Sequence, residues 1–218
     1  MKKVFLIFLG AVLSVCLLLA SAAQANEGDY QQLCASCHGQ NGGGNAAITA
    51  PSIAGLQQDY LTLQLSNFKQ GIRGSHPEDA SGMMMAGIGK SLSDSQISSL
   101  AQYLAAQPFV AAKPPKQTGG FMGMGLYRNC GSCHGAHAQG EPSLHAPRLA
   151  GQHTGYLLAQ LKKFKSGARG KHPEDKYGKQ MNLVSQGLDF ENQLASILAF
   201  IAHRKVTPVT KTLTSNKH

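Results

Sequence analysis

The sequence predicts an all-α fold made of two tandem helical units. Three observations predict it. The pentapeptide Cys-x-x-Cys-His occurs twice, as Cys34 to His38 and as Cys130 to His134. An offset of 96 residues relates the two copies and continues far beyond them. Apolar residues recur at helical spacing in each copy, and no segment reads as a convincing strand.

The pentapeptide carries the chemistry. Two thiols separated by two residues add across the vinyl groups of a porphyrin, and the next residue supplies an imidazole to the iron: this is the attachment site of a c-type haem. A structural zinc site would need two Cys pairs about 15–20 residues apart. Dithiol redox chemistry explains Cys-x-x-Cys but gives no reason for a following His, twice. Cys34, Cys37, Cys130 and Cys133 are therefore read as the covalent anchors of two haem c groups, with His38 and His134 as proximal iron ligands.

The repeat fixes the organisation. Without a gap, Pro51 matches Pro147, Tyr60-Leu61 matches Tyr156-Leu157, Arg73-Gly74 matches Arg169-Gly170, and His76-Pro-Glu-Asp79 matches His172-Pro-Glu-Asp175. One residue is then added in the second copy, so Ile97 and Leu100 align with Leu194 and Ile197.

The elements follow in order. Residues 1–25 read as a secretory signal: Lys2 and Lys3, an apolar stretch, and Ala23-Gln24-Ala25 as a cleavage site. The apolar stretch is long enough that an uncleaved leader would anchor the chain in a membrane. Domain 1 spans residues 26–110, a linker 111–120, domain 2 residues 121–205, and a loosely ordered tail 206–218. In each domain a short helix enters the Cys pair, around Asp29–Leu33 and Gly125–Asn129. The middle helix starts near Asp59, with Leu61, Leu65 and Phe68 on one stripe and Leu157, Leu161 and Phe164 on its counterpart. Gly71 and Gly167 fall where helix C-termini are capped. A loop is expected from there to the Met residues. The last helix opens at Ser93 with Gln96 three residues on, a capping-box signature; in domain 2 its stripe is Leu194, Ile197, Leu198 and Ile201. The Pro pair makes the linker semi-stiff and its Gly pair makes it flexible.

Each domain is too small to rest on side-chain burial alone, so the porphyrin is expected to complete the core. The absence of Trp agrees with that.

Charge divides unevenly. Residues 26–110 hold three bases against six acids, a sum of −3; residues 120–205 hold eleven against five, a sum of +6. Nucleic acid does not suit an exported haem protein. An acidic redox protein docking on the basic second domain does, as does an anionic membrane surface; a solvated basic face is the plain alternative. Lys162, Lys163 and Lys165 are the natural docking charges.

The sixth ligand must come from the other side of the haem. Met83, Met84 and Met85 all compete in domain 1, but only Met85 has a repeat partner, Met181. Each lies 47 residues beyond its proximal His. Core filling is the alternative role for Met. His76 and His172 also obey the repeat and are rival ligands. Arg73 and Arg169 suit haem propionates, because a planar guanidinium matches a carboxylate; a solvent-facing turn is the plain alternative. His137, His145, His153, His203 and His218 lack repeat partners and are read as surface residues.

With these residues placed, the chain resembles class I cytochrome c, and its duplication behind a signal resembles the two-haem cytochrome c4 type. The resemblance implies helical domains in which the first and last helices cross, Gly28 or Gly125 meeting the face of Tyr103 or Phe200. It implies Met85 and Met181 as distal ligands, and the carbonyls of Pro51 and Pro147 as acceptors that orient the proximal imidazoles. The triple Met and an extra residue before Cys34 depart from the pattern. The expected function is that of a periplasmic electron carrier between respiratory partners, including a terminal oxidase or reductase. A cytochrome subunit of a dehydrogenase complex is the alternative, and a two-haem peroxidase a further one. With both axial positions filled, no catalysis is expected.

Overall fold

A computed structural model describes residues 27–205. The signal, its cleavage site and the tail beyond Lys205 lie outside the described residues. The described chain is helical; its only β pairing is two isolated bridges, Asn45 with Ala50 and Glu141 with Ala146. No described helix is long and apolar enough to cross a membrane.

The first half comprises α1 (27–33), α2 (Ala35–His38), α3 (Gln58–Lys69), α4 (Ala80–Ser91) and α5 (Asp94–Ala106). The second comprises α6 (Gly120–His134), α7 (Thr154–Ser166), α8 (Lys176–Gln186) and α9 (Leu194–Ala202). The extra residue before Cys34 has a visible cost in regularity. Helix α6 runs unbroken into its haem motif, whereas the first copy breaks at Cys34 between α1 and α2. The residue added in the second copy is absorbed in the turn before α9, where the Asp189 carboxylate accepts from the Glu191 and Asn192 N–H groups.

The stripes foreseen for the middle and last helices are the cores. In α5, Ile97, Leu100, Ala101 and Leu104 are buried against Tyr30, Leu56 and Leu61. In α9, Leu194, Ile197, Leu198 and Ile201 are buried with Tyr127, Ala150 and Leu157. Ser93 and Gln96 form the full capping box, and Gly167 caps α7 with φ +85°.

Three expectations need correction. The segment leading to the Met residues is not a loop: Met83–Met85 lie within α4 and Met181 within α8. Asp79 and Asp175 nucleate these helices, each accepting the N–H three residues on, from Gly82 and Gly178, at 2.8 Å. The crossing of first and last helices in the second half runs through Gly123, not Gly125. A Cβ on Gly123 would lie 2.4 Å from the Ser196 carbonyl, whereas Gly125 and Gly28 have open space. In the first half the crossing is made by Tyr30 against Tyr103, ring centroids 5.8 Å apart. Finally, Gly119 of the linker is packed tightly: with φ +76°, its Cβ position lies 2.3 Å from Ser196 O.

The halves dock through paired polar contacts. Gln152 holds the backbone of Ser52 from both sides, accepting from its N–H at 2.9 Å and donating to its carbonyl at 2.8 Å. Arg148 donates to Gly55 O at 2.8 Å and lies 3.5 Å over the Phe109 ring. His153 pairs with Gly43 O at 2.8 Å. His153 is thus an interface residue, not a surface one.

Candidate haem sites

One largely apolar cavity of about 590 Å³ extends through both halves. Cys34, Cys37, His38 and Met85 line it in the first, and Cys130, His134 and Met181 in the second. Cys133 is exposed and off the cavity wall.

The proximal imidazoles are fixed by backbone. His38 Nδ1 lies 3.0 Å from Pro51 O, and His134 Nδ1 lies 2.8 Å from Pro147 O. Each bond commits Nδ1–H to the carbonyl and leaves Nε2 as the free lone pair. Burial pushes both imidazoles down, which the carbonyl bond partly opposes; the rings are held neutral, the form that binds iron. The loop before each Pro is shaped by the same device twice, a 3₁₀ turn closed by a left-handed residue, Thr49 (φ 55°) or His145 (φ 50°).

The thiols do not have the electrostatics of a redox dithiol. Burial pushes the Cys34 thiol up to about 11 and also raises Cys130, opposite to the lowered values of reactive thiols. Among the described residues no three His, Cys, Asp or Glu side chains cluster to hold a metal ion.

The structure also places Met85, Met84 and Ile88 on the cavity wall in the first half, and Met181 and Val184 in the second. Met83 is 43% exposed and off the wall. His76 and His172 are also off it; each ring accepts from a backbone N–H of its own turn, Glu78 and Glu174, at 3.2 Å.

Arg73 and Arg169 are not in solvent-facing turns. They meet at the interface in a two-fold square. Arg73 donates to Gln64 at 2.6 Å and to Gln160 at 3.0 Å, and Arg169 donates to Gln160 at 2.7 Å and to Gln64 at 2.9 Å. Both cations line the cavity, and the Nε–H of each is buried without a partner. Burial, then the neighbouring Arg73 charge, pushes Arg169 down. Two adjacent buried guanidiniums with unpaired donors call for anions. Arg148 adds a third buried, unpartnered Nε on the same wall; burial lowers it to about 10. Neither Arg148 nor Gln152 stands out in the sequence, because each has a dissimilar repeat partner, Ser52 or Leu56. His145 likewise faces inward, its Nδ1 buried without a partner and its ring 4.5 Å from that of Tyr177.

A largely apolar cavity lined in each half by a backbone-held imidazole, a Cys of the pentapeptide, a Met thioether and a guanidinium with an unpaired Nε–H suits a haem c. Comparison with known proteins agrees. The family model for cytochrome c matches residues 28–107 and again 122–205. Cytochrome c4 of Azotobacter vinelandii is 33% identical over 162 residues, 69% of this chain and 75% of that protein. The chain belongs to the cytochrome c4 family. Another relative, a thiosulfate dehydrogenase electron acceptor of Stutzerimonas stutzeri, is 33% identical over 183 residues, 74% of this chain and 81% of the relative. The crystal structure of reduced cytochrome c4 from Pseudomonas stutzeri superposes with a TM-score of 0.68 at 26% identity, covering 84% of this chain and 98% of that one. As a cytochrome c4 the chain is a di-haem c-type electron-transfer protein, not a catalyst, and its two cytochrome c domains imply two haem c groups.

The charges foreseen for docking are partly used inside this cytochrome. Lys163 pairs with Asp79 of the other half. Lys165 donates to Leu188 O and lies 4.7 Å from the Phe190 ring centroid. Of the three, only Lys162 is exposed.

Proposed function

We propose that this protein is a periplasmic electron acceptor for a dehydrogenase, relaying electrons onward through its two halves. The observation that carries this is that relatives named as thiosulfate dehydrogenase electron acceptors match it at 34% and 33% identity. Thiosulfate dehydrogenase is therefore the first partner to test.

In this reading Cys34 and Cys37, and Cys130 and Cys133, form the thioether links. His38 with Met85, and His134 with Met181, would hold the iron, and the Pro51 and Pro147 carbonyls would keep the imidazoles in place. Haem c supplies an iron that cycles between ferric and ferrous forms. The neutral thioether favours the ferrous form and raises the potential. The unpaired Nε–H groups of Arg73 and Arg169 would receive propionates, which would also neutralise the paired guanidiniums. The Gln64–Gln160 square keeps the two centres at a fixed separation. The chain is exported behind a leader spanning residues 1–25, and its two cytochrome units span 26–110 and 121–205.

Partner contact is brief and charge-steered. The exposed cations Lys162, Lys171, Lys176 and Lys179 of the second half suit an acidic partner. Similarity of the same order to cytochromes c4 favours a second reading, a free shuttle to a terminal oxidase.

Rapid mixing separates the two. Reduction of the oxidised holoprotein by thiosulfate and catalytic amounts of a purified thiosulfate dehydrogenase should go to completion in both halves. No reduction beyond the enzyme-free rate would remove the dehydrogenase reading. Fast oxidation of the reduced protein by oxidase-containing membranes would then favour the shuttle.

A further inference from the structure

We propose that Lys163 is a tuning residue that raises the reduction potential of the first half's centre from across the domain interface. This rests on the reading of the cavity as holding a haem in each half. The interface is built from repeat-related residues, so most of its contacts come in matched pairs. Lys163 breaks the match. Its repeat counterpart is Asn67, which is buried, whereas Lys163 is half-buried. The two positions do the same backbone work: Asn67 O accepts from Arg73 N and Lys163 O from Arg169 N, each at 3.0 Å. Only the side chains differ.

The Lys163 ammonium crosses to the first half. There it pairs with the buried Asp79 carboxylate and donates to Ser81 Oγ at 2.6 Å. Asp79 caps the N-terminus of α4, the helix that carries Met85. Lys163, Ser81 and Gly82 all line the cavity. In the second half Asp175 caps α8 in the same way and is equally withdrawn from solvent. Yet among the described residues the only ion pairs are Lys69–Asp94 and Lys163–Asp79, so Asp175 has no cation on it. The carboxylate at the head of one Met helix is neutralised and its twin is not.

The sign follows from charge alone. A cation near an iron disfavours its ferric form and raises the potential, and the effect is strengthened where water is excluded. Removing Lys163 uncovers Asp79 and must lower the first centre. Placing a cation opposite Asp175 must raise the second.

The test is spectroelectrochemical titration of the full holoprotein, with the two midpoints assigned through Met85→Ala and Met181→Ala. Lys163→Asn, which makes the halves alike, should lower the first midpoint selectively. Lys163→Arg should leave it near the native value, and Asn67→Lys should raise the second. Covalent haem content by mass is measured in parallel, so loss of the haem reading is distinguished from failure of the tuning. With both haems present, unmoved midpoints, equal movement of both, or a shift in Lys163→Arg as large as in Lys163→Asn would overturn the proposal. Should Lys163→Asn not retain its haems, Asn67→Lys decides alone: a second midpoint that does not rise overturns it.

Discussion

At the scale of single residues, Met85 and Met181 face the same cavity as the buried imidazoles, at the same separation along the chain. Met85→Ala should remove about half of the weak far-red absorption that thioether ligation gives ferric haem, and Met181→Ala the other half. Each should lower the potential of its own centre. A spectrum that either variant leaves intact would return His76 or His172 as ligand. The repeat is what singled out Met85 among three adjacent Met residues, and Arg73 and Arg169 among the bases. It could not reveal that the two Arg face each other through Gln64 and Gln160, because that contact exists only once the halves dock. It also hid Arg148 and Gln152, whose work is done on the unlike residues of the other half.

At the scale of elements, the crossing of α6 and α9 leaves no room for a side chain at Gly123. Gly123→Ala would drive a Cβ into Ser196 O and the Phe200 side chain. A cost of roughly 1–3 kcal/mol is expected, as for overpacking in general. Gly125→Ala has open space, and with alanine the better helix former it should be neutral or slightly stabilising. Thermal unfolding followed at the second half's haem would rank the two. Helices with regular apolar stripes, α3, α5, α7 and α9, were legible in the sequence. Helices α4 and α8 were not, for a physical reason. Gly82, Gly87 and Gly89 lower the helix propensity of α4, but Gly89 is there because α3 passes too close for a Cβ, 2.8 Å from Lys69 N. A buried Asp at the N-terminus supplies what helix propensity lacks. The recurrence of Asp-x-x-Gly in both copies was the available signal.

At the scale of the whole molecule, the uneven charge is real, but part of the basic surplus is spent internally by Lys163, Lys165 and Arg148. In the proposed docking the contact would therefore fall to the exposed Lys162, Lys171, Lys176 and Lys179. Replacing these four with Gln should slow reduction by an acidic dehydrogenase partner and flatten its dependence on ionic strength. Stopped-flow rates across a salt series would check it, with Lys163 and Lys165 left untouched. The same view predicts the effect of undocking. Gln152→Ala removes both bonds to the Ser52 backbone and leaves buried peptide groups unpaired, a loss of roughly 1–3 kcal/mol. The docked native protein is expected to unfold in a single transition, and in the variant this should separate toward two, seen by differential scanning calorimetry.

The Arg–Gln square has one more consequence. Each half contributes one Arg and one Gln to it, and each Gln accepts from both Arg side chains. A surface of that kind is isologous: it is complementary to a copy of itself. A single-haem unit bearing this Arg and this Gln would already possess the seam of a symmetric homodimer. Joining two copies by a short tether would raise their effective concentration toward the millimolar range and release the two sequences to diverge. Lys163 facing Asp79, where its twin position keeps Asn67, is one product of that freedom, an asymmetry that no true homodimer can evolve.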